Sequence, residues 1–198
     1  MRKLSIIIVN YKTGPMTLDC IEAIKKVIHS VTYEIIVIDN NSEDDSVQLF
    51  KNTHNDLKII ELKKNIGYGS AINHGAKIAE GQFLLFLNSD IILTEDFAEF
   101  LIDFYHKNTS GILGIKLVGT NHKFQKTFGY FPSPMLIIAD HLAWLKKINH
   151  RHFKRYAAIN SNNPDTQKVD WITGAFMFIS KENFERAVQD HEPSLGCL

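Results

Sequence analysis

Asn88-Ser89-Asp90 closes the apolar run Phe83-Leu84-Leu85-Phe86-Leu87, which itself follows Gly81-Gln82. A single carboxylate at such an end suits a divalent cation that keeps several waters and draws its other ligands from substrate phosphates. The plainer reading is a turn in which Asn88 and Asp90 cap the next segment, and these ten residues leave both open. Three further clusters have the same character: Asn10-Tyr11-Lys12-Thr13, Asp39-Asn40-Asn41-Ser42 and Asn65-Ile66-Gly67-Tyr68-Gly69. Gly67 and Gly69 allow a tight turn or a close backbone approach to a ligand. The helix expected from about Ser70 to Glu80 would offer its anion-attracting start to a diphosphate. For Asp39 the bland alternative is a turn aspartate, because Asn40-Asn41-Ser42 is strong turn composition.

These clusters need a rigid support, and the runs before them supply one. Leu4–Val9, Tyr33–Ile38, Leu57–Leu62 and Phe83–Leu87 are short and rich in apolar residues, often β-branched, as in strands buried between helices. Pro15 followed by Leu18, Ile21, Ile24 and Ile28 marks a helix after the first strand. Alternating strands and helices give an α/β domain with a mostly parallel central sheet and helices on both faces. In such sheets ligands bind beyond the carboxyl ends of the strands, where all four polar clusters fall. Ser42 with Asp45 predicts a helix cap, and Gly75 predicts close packing of its helix on the sheet rather than ligand contact.

Later segments are less regular. Thr94 is expected to open a helix with Glu95 and Asp96 in its first turn and Phe97, Phe100, Leu101 and Phe104 on its apolar face. Residues 111–118 read as a strand. Residues 135–145 read as an amphipathic helix followed by the basic cluster Lys146, Lys147, His150, Arg151, His152, Lys154 and Arg155. The simpler account is a core helix and a solvated loop; the other is a membrane-interface segment. Trp171 is either a sugar-facing or a core tryptophan. Gly174 and Ala175 leave room for a substrate at the backbone, and Lys181-Glu182-Asn183-Phe184 begins a helix.

Composition bounds the reading. The 198 residues suffice for one well-buried domain. Lysine plus arginine equals aspartate plus glutamate at 22 each, which argues against a nucleic-acid binder driven by bulk charge. Two cysteines, Cys20 and Cys197, make no disulfide framework, and a reducing cytosol fits. The apolar stretch after Arg2 and Lys3 is too short for a signal-peptide core or a membrane span.

In order and spacing, the blocks Ser5–Tyr11, Ile36–Ser42, Asn65–Tyr68, Asn73–Gly75 and Leu85–Asp90 resemble inverting, family-2-type glycosyltransferases of the GT-A fold, particularly their rhamnosyltransferase-like branch. The resemblance runs to about Phe184, implying a transferase domain over 1–184 and a divergent tail over 185–198. It implies that Asp39 receives the base of a nucleotide-sugar, flanked by Asn10 and Tyr11, with Asn41, Asn65 and Gly67 around the pocket. Asn88, Ser89 and Asp90 stand at the Asp-x-Asp signature. Asp90 would hold Mg2+ or Mn2+ against the diphosphate, and Asn88 keeps an acceptor oxygen with one negative charge fewer. Trp171, Thr173, Gly174 and Ala175 would border donor sugar and acceptor. The implied partners are a dTDP-, UDP- or GDP-linked donor and a glycan or lipid-linked acceptor. No nucleic acid is expected. The implied setting is bacterial surface-polysaccharide synthesis in the cytoplasm, with peripheral contact at the inner face of the membrane.

The pattern departs after Phe184. Family members continue with a Gly-Gly-Phe-Asp-like turn and a later Glu-Asp pair whose aspartate is the general base. Asp190 and Glu192 do not stand in that motif, so no catalytic base is assigned. A truncated or frameshifted member, able to bind donor but impaired in transfer, is therefore the alternative expectation to a working enzyme. A nucleotidyltransferase is a distant third.

Overall fold

The computed structural model describes residues 3–108, 111–119, 123–131 and 166–190. The expected helix at 135–145, the basic cluster after it, Cys197 and positions 191–198 lie outside them. In chain order the elements are β1 (Leu4–Asn10), α1 (Gly14–Val27), β2 (Tyr33–Asp39), α2 (Ser46–Thr53), β3 (Lys58–Glu61), α3 (Tyr68–Ile78), β4 (Phe83–Asn88) and α4 (Ala98–Asn108). Four two-residue strands follow: β5 (Leu117–Val118), β6 (Phe124–Gln125), β7 (Phe128–Gly129) and β8 (Trp171–Ile172). The last elements are β9 (Phe176–Ser180) and the helix α5 (Lys181–Asp190), which runs through position 184.

The main sheet has the order β3-β2-β1-β4-β9. Its first four strands are parallel, and β9 joins β4 antiparallel. β1 is buried at all seven positions, as expected of a strand covered on both faces. One face sets Ile7, Val9, Ile36, Ile38, Leu84 and Phe86 against Ala71, Ile72 and Ala76 of α3 and Ala79 just after it. Ile6, Ile8, Ile35, Val37, Leu85 and Leu87, on alternate positions, are buried as well. Each such side chain contributes about 1.5–3 kcal/mol when buried. Gly75 brings α3 close to the sheet: a β-carbon there would lie 2.6 Å from Cγ2 of Ile7.

The chain divides into two compact units, residues 1–113 with 174–198, and Gly114–Thr173. In the first, Leu113 and Phe178 exchange backbone hydrogen bonds of 2.8 and 2.9 Å. In the second, β5 pairs with β6 and β7 with β8.

Three local expectations are corrected. Ser42 is not a helix cap, because its hydroxyl donates to Oδ1 of Asp39 and α2 begins only at Ser46. α4 begins at Ala98, not Thr94. Asp96 instead accepts the backbone N–H groups of His29, Ser30 and Ala98 and the Ser30 hydroxyl, joining the end of α1 to the start of α4. The buried face of α4 is Ala98, Leu101, Ile102 and Tyr105, and Phe100 is 66% exposed. The stretch 111–118 is a single bridge at Leu113 and the short β5, rather than one strand.

Candidate functional site

Strand order reverses between β1 and β4, since β1 is followed in sequence by its neighbour on one side and β4 lies on the other. Beyond the carboxyl ends of these strands lies a pocket of about 420 Å³, within the range of small-molecule sites. The β1–α1 loop lends it Tyr11 and Thr13 and the first turn of α1 lends Met16; the loops after β2 and β3 lend Asn40, Asn65 and Gly67, and the start of α3 lends Tyr68. β1 itself gives Val9, and the end of β4 gives Asn88, Ser89 and Asp90. Loops from four strand ends thus meet at one cavity.

Beneath it runs a buried polar network. Asn10 is fully buried. Its amide donates to Oδ1 of Asp39 at 2.7 Å and to the Ser42 hydroxyl at 2.9 Å. Its carbonyl oxygen accepts from Thr13 and Thr17. Asp39, 5% exposed, also accepts the Ser42 hydroxyl at 2.6 Å on Oδ1 and the Ser42 N–H at 3.0 Å on Oδ2. Asp39 is therefore held as a turn carboxylate. Oδ2, with one bond, retains acceptor capacity.

Backbone conformation serves the same end. Lys12, Asn41 and Glu43 have positive φ, at 58°, 63° and 56°, a region that non-glycine residues seldom occupy. In that conformation Lys12 donates its N–H to the Ser42 hydroxyl, and its ammonium lies 5.5 Å from the centroid of the Tyr11 ring. Gly67, at φ 80°, lets the chain turn into α3 directly over the pocket. Asn40 joins two loops: its amide donates to Oδ1 of Asn65, and its Oδ1 accepts the Ile66 N–H.

At the β4 end, Ser89 lies 3.3 Å from the Thr13 hydroxyl, and Asp90 is exposed at the pocket. Cys20 sits behind them, its thiol near the Asn88 carbonyl. Burial first, and then the charge of Asp90, push that thiol up to about 12, so it stays protonated. Among the described residues no three His, Cys, Asp or Glu side chains converge as a metal-ligand set. One exposed carboxylate with the Asn88 amide beside it is a donor set for a hard cation bound mainly through ligand oxygens.

The pocket brings together Tyr11, Asn65, Gly67, Asn88, Ser89 and Asp90 of the residues singled out above. Asn10 and Asp39 form the layer beneath, and Asn41 is half-buried in the adjoining turn. Gly174 and Ala175 belong to the same compact unit as the pocket, and Trp171 and Thr173 to the other. There Trp171 is half-buried opposite Gly129, with the Lys126 ammonium 6.0 Å from its ring. The Thr173 N–H donates to the Thr127 carbonyl. Val9, Thr13, Met16, Asn40 and Tyr68 line the pocket and were not foreseen. Val9, Thr13, Asn40 and Tyr68 adjoin or fall within the polar clusters, which was the available signal; Met16, in the first turn of α1, carried none.

Comparison with known proteins is concordant. The family model described as Glycosyl transferase family 2 matches residues 5–186. Poly(ribitol-phosphate) beta-N-acetylglucosaminyltransferase TarS of Staphylococcus aureus is 30% identical over 125 residues, covering 61% of this chain and 22% of that protein. Its crystal structure superposes with a TM-score of 0.55 at 26% identity, over 66% of this chain and 24% of its own. A poly(ribitol-phosphate) beta-glucosyltransferase of Bacillus spizizenii is 30% identical over 60% of this chain and 20% of its own length. The mannosyltransferase PcManGT of Pyrobaculum calidifontis, solved with GDP-Man and Mn2+, gives a TM-score of 0.57. At 16% identity, over 94% of this chain and 46% of that one, it speaks to the fold. The matched region is thus between a fifth and a half of these proteins.

Proposed function

Because the chain belongs to glycosyl transferase family 2, we propose that it binds a nucleotide-sugar at the β1–β4 pocket and transfers the sugar to a glycan or lipid-linked acceptor. The observation that carries this is the convergence of four strand-end loops on one cavity with a lone carboxylate at its rim. Oδ2 of Asp39 accepts the ring N–H of the base. Tyr11 packs beside the base, with Asn10 and Asn41 holding the loops that shape its site. Asn65 and Gly67 border the ribose and diphosphate. Asn88 and Ser89 border the nucleotide-sugar, and Asp90 would hold Mg2+ or Mn2+, which when bound neutralises charge on the departing nucleoside diphosphate. Gly174 and Ala175 serve the sugar side, and Trp171 and Thr173 are assigned to the acceptor. No described carboxylate is given the role of general base.

The donor is UDP-, GDP- or dTDP-linked, and the finer placement is the rhamnosyltransferase-like branch. Relatives named for poly(ribitol-phosphate) acceptors support an acceptor from bacterial surface polysaccharide; the setting proposed with it is the cytoplasmic side of the membrane, with peripheral contact. No described helix is long and apolar enough to cross a membrane.

The test is incubation with UDP-, GDP- and dTDP-sugars, Mn2+ and a poly(ribitol-phosphate) acceptor, reading both binding and release of nucleoside diphosphate. Release that Asp90→Ala abolishes supports a transferase. Binding without release supports a donor-holding domain impaired in transfer. Absence of binding to every donor refutes the proposal.

A further inference from the structure

Tyr68 opens α3 and was not among the expected site residues, yet its ring lines the pocket together with Asp90. Its hydroxyl donates to the Gly174 carbonyl at 2.9 Å, across 106 positions of sequence. The contact is close: a β-carbon on Gly174 would lie 3.3 Å from Cε1 of the ring. The next residue, Ala175, accepts the Asn88 N–H at 3.0 Å, and Asn88 is two positions from Asp90. The turn at Gly174–Ala175 is therefore tied on one side to Tyr68 and on the other to the strand end that carries Asp90. Burial pushes the phenol up to about 12, so it remains a donor at any physiological pH. A phenol that donates its one proton still has lone pairs to accept with.

We propose that Tyr68 selects for the sugar half of the donor, by pinning the Gly174–Ala175 turn beside the Asp90 loop and by presenting its phenol oxygen to a sugar hydroxyl. This rests on the nucleotide-sugar reading of the pocket. It assigns Tyr68 no part in holding the base, which lies toward Asp39 and Tyr11.

The experiment is a calorimetric comparison in Mn2+ of UDP, GDP and dTDP with UDP-glucose, GDP-mannose and dTDP-glucose, on the full chain, Tyr68→Phe and Gly174→Ala. Tyr68→Phe keeps the ring and loses both the bond to Gly174 and the one to the sugar hydroxyl, the latter alone of a strength that corresponds to about fivefold in affinity. The expected result is a nucleotide-sugar Kd raised about fivefold or more, with the matching nucleoside diphosphate changed less than about twofold. Gly174→Ala, whose β-carbon would press on the Tyr68 ring and so disturb its seat against the turn, should show the same selective loss, and it carries the test if Tyr68→Phe melts early. Equal weakening of both ligands, or no change in either, overturns the role of Tyr68. Failure of the unaltered chain to bind any of the six overturns the nucleotide-sugar reading itself.

Discussion

Asn10 and Asp90 show two ways in which a polar residue can serve one pocket. Asn10 is fully buried and uses both ends of its amide on four partners. Asn10→Ala strips those partners of their bonds. It is expected to destabilise the chain by about 2–3 kcal/mol, from the usual cost of orphaning buried polar groups, seen as a lower urea midpoint with unchanged slope. Asp90 is exposed. Asp90→Ala should leave the melting temperature nearly where it was while removing the Mn2+ dependence of nucleoside-diphosphate binding, measured by titration with and without EDTA. A large loss of stability in Asp90→Ala would place that carboxylate in the fold rather than at the site. Asn40 was legible only as turn composition. Its bonds to Asn65 and Ile66 span 25 and 26 positions, a proximity that no local pattern encodes.

At the scale of elements, the amino end of β2, opposite the end that carries Asp39, holds a second buried carboxylate. Glu34, 4% exposed, accepts the Ser5 hydroxyl and the Glu80 N–H at 2.7 Å each, and pairs with Lys58 at 2.9 Å. Burial alone would raise its pKa. The Lys58, Ser5 and Glu80 hydrogen bonds outweigh that and bring it down to about 2. A carboxylate depressed on folding stabilises fully above its unfolded pKa, and that contribution fades as pH falls toward the folded one. Stability should therefore drop as pH falls from about 4.5 to about 2. Asp96, likewise held near 2, adds to the same loss. In Glu34→Gln the acid-side slope of a pH–melting curve should be shallower. Gly75→Ala should cost about 1–2 kcal/mol by crowding Ile7, although alanine is the better helix former.

The same elements show what the sequence could and could not specify. β1, β2 and β4 are legible because a strand buried on both faces leaves an unbroken apolar run. α4 is not, because its start is set by Asp96 reaching back to His29 and Ser30, a tertiary event. Its inward face goes to Ala98, Leu101, Ile102 and Tyr105 rather than to the larger Phe100. Tyr105 stacks edge-on against Phe83 and Phe178, which decides the rotation of the helix. Hydrophobic size rightly chose Leu101 and Phe97, which packs on Phe176, but not Phe100.

For the molecule as a whole, a ligand that binds only the folded state raises its stability by mass action. Nucleoside diphosphate with Mn2+ at about a hundredfold its Kd contributes about 2.7 kcal/mol, or roughly 5–10 °C in a chain of this size. EDTA should remove most of that increment in a thermal-shift assay. An increment indifferent to chelation would put the diphosphate on protein groups instead. One topological detail reaches further. The chain leaves the main sheet just after Leu113 and rejoins it on β9, where Phe178 is bonded back to Leu113. A detour whose exit and return are neighbours can be lengthened, shortened or traded like a cassette while the four loops around the pocket stay put.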